Sequence, residues 1–189
     1  MFTALRKLDG DLSLIETQVA PGGPIDSSID SINRSLDSID KSLDEIQGTY
    51  DVTVNYDLTV EQLIQAGKYD WVNDDITYSH FPSTEEGGKA QVVIFLVNFN
   101  HAISSEDAIG KMYVQGLRPA TLKELLALGA AYPNLQRGHP IVALGSTWRF
   151  PGGKLRVPYL SGVGSPRGLG LIWSTDGWLP DWYFAAVRK

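Results

Sequence analysis

Residues 90–129 read AQVVIFLVNFNHAISSEDAIGKMYVQGLRPATLKELLALG, and this stretch decides the fold class. Residues 90–98 form an apolar run with the length of a buried strand. Ser104 then opens a helix, with acidic Asp107 three residues on, and the helical pattern stops at Gly116. Thr121 and Glu124 have the spacing of a capping box, which starts a second helix ending near Gly129. Working outward, residues 49–56 alternate Val52, Val54 and Tyr56 on one face and read as a strand. Thr59 and Gln62 make another capping box, for a helix that Gly67 ends. Downstream, residues 141–150 read as one strand with Pro151-Gly152-Gly153 as its turn, and short strands alternate with turns from Lys154 on. Helices and strands in this order predict a segregated α+β domain over residues 50–189, not a βαβ sheet.

The first 49 residues are different in kind. They carry four basic and nine acidic residues and one aromatic, Phe2, whereas all five Trp lie beyond them. Residues 25–46 place Ile25, Ile29, Ile32, Leu36, Ile39, Leu43 and Ile46 at alternating spacings of four and three, a heptad seam. Leu at the a positions with Ile at d leans towards oligomers above the dimer. The g positions are Ser28, Ser35 and Ser42, so no charge pairs fix the partner. An earlier run, Met1, Leu5, Leu8, Leu12, Ile15 and Val19, is cut off from it by Pro21-Gly22-Gly23-Pro24, which a helix cannot cross. Residues 1–49 are therefore expected to be a short helical coiled-coil stalk, either a hairpin or stacked segments, that joins copies of the chain through residues 25–46; the alternative is an amphipathic helix pair lying on the domain's own surface.

Composition removes several classes of function. The 189 residues include no Cys, which excludes disulfide scaffolds, thiolate metal sites and cysteine nucleophiles. The longest apolar run, 92–97, is far short of the roughly 20 residues of a membrane span. Charges interrupt the N-terminal residues where a signal peptide has its apolar stretch, so no signal peptide is expected. A net charge of −6 argues against binding nucleic acid through its phosphates.

Near the C-terminus, RGLGLIWS (167–174) alternates. Leu169, Leu171 and Trp173 are expected to face the core, and Gly168, Gly170, Ile172 and Ser174 to face away. The outward set lacks the polar character of a solvated strand. A turn rich in Gly and Pro follows, with three Trp between 173 and 182. Trp173 and Trp178 are expected in the core, while Trp182 suits core and surface equally. The reading predicts one exposed binding face of Gly168, Gly170, Ile172, Ser174, Thr175, Gly177, Leu179, Asp181 and Tyr183, with Tyr159, Ser161 and Val163 at its margin. Gly170→Ser is expected to be near neutral.

GLRPATLKELLALG (116–129), PIVALGSTWR (140–149), RVPYL (156–160) and LGLIW with the closing FAAVRK (169–173, 184–189) resemble the variable proteins of diversity-generating retroelements, in the branch from archaeal viruses and small uncultured prokaryotes. The resemblance implies a C-type-lectin-like domain over 50–189 and a variable segment at about 157–186. It implies binding of a macromolecular ligand, and display on a virion or a cell-surface structure. In this family, adenines in Asn codons are miscopied. Such codons reach Gly, Ser, Thr, Ile, Leu, Pro, Asp, Tyr and Val but not Trp, Met, Gln, Glu or Lys. Residues 155–188 contain no Met, Gln, Glu or Lys, in agreement. Trp182 is not reachable from such a codon.

Enzyme readings find little support. The formylglycine-generating enzymes share the implied fold but need cysteines. Calcium-dependent lectins use Glu-Pro-Asn and Trp-Asn-Asp, and only Trp71-Val72-Asn73-Asp74-Asp75 echoes the second. His101 with Ser104 and Asp107 is better explained by a helix start than by a triad. Gly162-Val163-Gly164-Ser165-Pro166 has no Lys at the phosphate-loop position. No catalytic residue, metal or cofactor is therefore assigned. The alternative to a binding protein is an oligomeric cap or fibre protein without a variable face.

Overall fold

The computed structural model describes residues 23–82, 87–162 and 166–189, and of residues 38–44 the backbone only. The chain divides into two compact units, residues 1–44 and 45–189. The described part of the first unit is helix α1, Pro24–Glu45, whose last residue falls in the second. Pro24 suits a helix start, where its missing N–H is not needed. The Ser27 and Ser28 hydroxyls donate back to its carbonyl at 2.9 and 2.8 Å. Ile25, Ile29, Ile32 and Leu36 form one stripe and are 43–58 % exposed. The side chains of Ile39 and Leu43, and the whole 1–19 run, lie outside the described residues. Ile46, the last residue of the expected seam, lies outside α1. It is the first residue of a strand, where it pairs with Val97 and packs on a core cluster.

The second unit is α+β. Its elements are β1 (Ile46–Asn55), α2 (Val60–Gly67), β2 (Trp71–Val72), β3 (Lys89–Val97), α3 (Ser105–Val114), β4 (Leu117–Pro119), α4 (Leu122–Ala131), α5 (Leu135–Gly138), β5 (Ile141–Val142), β6 (Trp148–Arg149), β7 (Leu155–Ser161), β8 (Gly168–Trp173) and β9 (Tyr183–Arg188). Among the described residues the strands make one sheet in the order β1-β3-β9-β5-β7-β8-β2, with β4 on β9 and β6 on β7. The sheet is mixed: β5 runs parallel to β9 and β2 to β8, and the other pairs are antiparallel.

The caps read from the sequence position the helices. Thr59 accepts the Gln62 N–H while the Gln62 side chain accepts the Thr59 N–H. Ser104 accepts the Asp107 N–H at 3.0 Å. At α4 the Glu124 carboxylate accepts the Thr121 N–H at 2.7 Å, and Ser146 Oγ, from a distant loop, accepts the N–H of Leu122 at 2.8 Å. Gly67 is small because a Cβ there would stand 2.3 Å from the Tyr69 ring; the left-handed residue after α2 is Lys68, at φ 48°.

The run 141–150 is two short strands, not one. After Val142 the chain leaves the sheet so that Gly145 abuts the Ala120 carbonyl, where a Cβ would approach to 2.6 Å. That detour delivers Ser146 to the start of α4.

Each face of the sheet carries a core cluster, while one side of β1 and of the start of β3 is exposed. One cluster gathers Val52, Val54, Leu96, Leu125, Leu128, Ile141, Leu160 and Leu169 with α2 and α4. The other gathers Phe95, Val97, Ile103, Met112, Val142, Val157, Trp178 and Phe184 with α3. Burial on both sides explains why β8 and β9 do not show clean polar alternation.

Candidate binding face

Register fixes which side chains share a face. Tyr159 pairs with Gly170 and Val142, Val142 with Phe184, and Val157 with Ile172. Leu160 pairs with Leu169 and Ile141, Ile141 with Tyr183, and Arg156 with Trp173. Facing residues point to one side of a sheet. Gly168, Gly170 and Ile172 therefore lie with Tyr159 and Ser161 on the α3 side, and Leu169, Leu171 and Trp173 on the other, as the alternation predicts.

The exposure of the outward set departs from expectation. Gly168 and Gly170 are buried. The Tyr159 ring lies over Gly170, 2.5 Å from where a Cβ would stand, and Ser161 and Trp71 crowd Gly168 at 3.3 and 3.4 Å. Ile172 is half-buried because the second core reaches it. Tyr183 falls on the opposite side of the sheet, packed on the first core and stacked on His139 at 4.3 Å. Tyr159, Ser161 and Ser174 are half-buried; Thr175, Gly177, Leu179 and Asp181 are exposed, Leu179 to 64 %. Val163 lies outside the described residues. What the structure brings together is thus a patch of Tyr159, Ile172, Trp182 and the 174–182 loop, with Tyr183 apart from it.

That loop is held by its backbone. Buried Asn98 donates through Nδ2 to the carbonyls of Pro180 (2.8 Å) and Trp182 (2.9 Å). Ser105 Oγ donates to the Ser174 carbonyl at 2.6 Å and accepts the Trp178 indole N–H at 2.9 Å. Ile103 and Trp178 exchange N–H···O bonds at 2.9 and 3.1 Å. Trp178 is fully buried, as expected of a core residue, and its ring sits 4.9 Å from that of Trp182, which lies 5.4 Å from Tyr159. Gly177 adopts φ 73°, a conformation other residues reach at a cost, so its exposure does not make it freely replaceable.

Trp173 is half-buried, not enclosed. Arg156 lies 4.3 Å from its ring centre, also covers Phe150, and reaches Asp75 at 3.4 Å. Asp75 of the 71–75 echo thus serves an ion pair, and the Asn73 side chain accepts the Asp75 N–H in a local turn.

Two residues that support the face carry no sequence motif. Arg167 is buried, and its guanidinium donates to the carbonyls of Gly67 (2.8 Å), Lys68 (3.3 Å) and Gly129 (2.8 Å) and to Gln136 Oε1 (3.2 Å). It thereby places a cation at the C-terminal ends of α2 and α4, where the helix dipoles favour one. Buried Gln136 donates to the carbonyls of Ser161 and Gly168, tying the end of β7 to the start of β8. An isolated Arg in sequence carries no local sign of burial. The signal present was its place between Pro166 and the β8 alternation.

Charge on the face is simple. Asp176 and Asp181 are exposed and take part in none of the ion pairs among the described residues. Two groups away from the face are shifted in pKa. Burial pushes the Tyr69 hydroxyl far up, partly offset by nearby Arg167, and the Tyr78 N–H holds the Glu61 carboxyl below its usual value.

No protein-family model, curated protein or solved structure matches this chain.

Proposed function

We propose that this protein binds a macromolecular ligand through its C-terminal face, as a variable protein of the diversity-generating retroelement kind with a C-type-lectin-like domain. The observation that carries this reading is the 174–182 loop. Asn98, Ser105 and Ile103 grip its main chain from the interior, and the side chains of Thr175, Leu179 and Asp181 stay outside. Such a loop changes its surface without changing its path. The absence of Met, Gln, Glu and Lys from 155–188 supports the same reading. The exposed Ile25, Ile29, Ile32 and Leu36 stripe supports a stalk that joins copies of the chain through residues 25–46, a seam that presents several faces at once. Display on a virion or cell-surface structure goes with this reading.

Sequencing the locus across sibling genomes tests it. The expected result is a near-repeat of the gene's last hundred or so bases beside a reverse transcriptase gene, with sibling proteins differing mainly at 172, 174, 175, 179 and 181. Differences spread evenly over the surface, with no near-repeat, would overturn it.

A further inference from the structure

One edge of β3 is open at its start. β1 accompanies β3 from Val97 to Lys89, but β9 accompanies it only from Val97 to Ile94 and ends at Arg188. Among the described residues no other strand takes the place of β9 beside residues 89–92. The bonds of β9 fix which main-chain groups point into this gap. The Tyr183 N–H donates to the Pro140 carbonyl and the Ala185 carbonyl accepts the Ala120 N–H, both at 2.9 Å, so these two residues turn away from β3. Phe184 and Ala186 therefore turn towards β3, onto Val97 and Phe95. Alternation carries the same direction to Gln91, whose N–H and carbonyl face the gap with no strand opposite among the described residues.

The gap is a cavity of about 270 Å³, lined by residues 91–93 of β3, residues 187–188 of β9, and Tyr56, Arg118 and Glu124. Glu124 is fully buried and already engaged. It accepts the Tyr56 hydroxyl at 3.1 Å and two nitrogens of Arg118 at 2.7 and 3.1 Å. Arg188 is exposed and takes part in none of the ion pairs among the described residues. Arg118 pairs with Val187, so register puts Arg118 on one side of the sheet and Arg188 on the other. The gap thus joins main-chain groups without a strand partner to a cation without a counter-charge. An open sheet edge takes up an extended peptide as an added strand, and neighbouring side chains select which one. The complement of Arg188 is an acidic side chain. The volume falls short of the roughly 300–1,000 Å³ of a small-molecule pocket, which favours a segment laid along the edge.

We propose that the open edge of β3 at Gln91 receives an extended segment of a partner protein, added as a strand in the line of β9, with an Asp or Glu of that segment on Arg188. The site lies at the end of β9 away from the 174–182 loop, about 20 Å from it by the length of a six-residue strand. It is separate from the C-terminal face and does not depend on that reading.

The test is to pan the full chain against phage-displayed random dodecapeptides and to measure each binder on three variants. Arg188→Glu reverses the charge at an exposed position. Gln91→Pro removes the N–H that faces the gap and spares the bonds to β1, a place where a strand accepts Pro. Leu179→Lys reports peptides that sit on the C-terminal loop instead. A set of peptides carrying Asp or Glu is expected to bind Arg188→Glu and Gln91→Pro about tenfold more weakly, and Leu179→Lys as tightly as the parent. The same peptides should slow hydrogen exchange at the Gln91 amide of the parent, a reading that needs no variant to fold. Binders that all ignore Arg188→Glu, binders that leave Gln91 exchange unchanged, or no binders at all would overturn the proposal. Binders weakened by Leu179→Lys alone would overturn it and leave the C-terminal face standing.

Discussion

Gly170 shows how a neighbouring ring decides what a strand position tolerates. Its backbone is ordinary β structure, so alternation alone predicts tolerance. The Tyr159 ring, however, rests where a side chain would begin. Gly170→Ala should therefore cost about 1–3 kcal/mol by overpacking. Urea unfolding of Gly170→Ala, with and without Tyr159→Ala, checks this: the double variant should lose less than the sum of the two singles. Tyr69 gives a second residue-scale prediction. Its hydroxyl is buried with no hydrogen-bond partner among the described residues, so Tyr69→Phe should change stability by less than about 1 kcal/mol at neutral pH. The hydroxyl also titrates higher in the folded chain than in the unfolded one, because burial penalises the phenolate. The unfolded chain releases this proton near pH 10 while the folded chain still holds it, so stability falls as pH rises past about 10. Melting curves from pH 8 to 11 should fall less steeply for Tyr69→Phe than for the parent.

Among elements, the helix starts were legible because a capping box is a local device: Thr59 with Gln62, and Thr121 with Glu124. The helix ends and the strand register were less so, because distant groups decide them. Arg167 illustrates this, since it binds carbonyls in the last turns of two helices, Gly67 and Gly129, 100 and 38 residues before it in the chain. Replacing it with Met would leave carbonyls of both helices without their donor. Arg167→Met should cost about 3 kcal/mol, the scale for a buried charged donor. Arg167→Lys should recover only part of this, because one ammonium cannot span carbonyls of separate helices as a planar guanidinium does. Hydrogen exchange would show the loss first at the ends of α2 and α4. The division of residues 141–150 into β5 and β6 was likewise hidden. Nothing local in Ala143-Leu144-Gly145 announces a close approach to Ala120.

For the molecule as a whole, helix–strand order was enough to read the α+β class, and the missing family and structure matches leave the finer fold name a proposal. The binding face was half legible. Period-two alternation sorted β8 correctly between the sheet's two sides, but a second core covers the side read as solvent-facing. That core accounts for Ile172 and, through Tyr159, for Gly170, while Trp71 and Ser161 close over Gly168. Tyr183 was misplaced for a related reason: it begins a new strand, β9, whose register follows β5 and not the loop before it. The heptad stripe carries the whole-molecule prediction. Ile32→Asp with Leu36→Asp places charge in the seam, which burial would penalise by several kcal/mol. Sedimentation of the full chain should therefore show a monomer for this variant and a larger, concentration-dependent mass for the parent. Equal masses would remove the stalk from the proposal.

The grip on the 174–182 loop has a consequence for how sequence space is organised there. Most of the inward holds fall on main-chain carbonyls, which every amino acid possesses, and Gly177 and the Trp178 N–H and indole are the exceptions. Positions 175, 179 and 181 are therefore not obliged to agree with one another. A change at one does not narrow the choices at the next, so the number of workable loops is the product of the choices at each position. A surface built on interlocking side chains would instead admit a few matched sets. Independence of this kind lets a repertoire be searched one letter at a time, with each step still a folded protein.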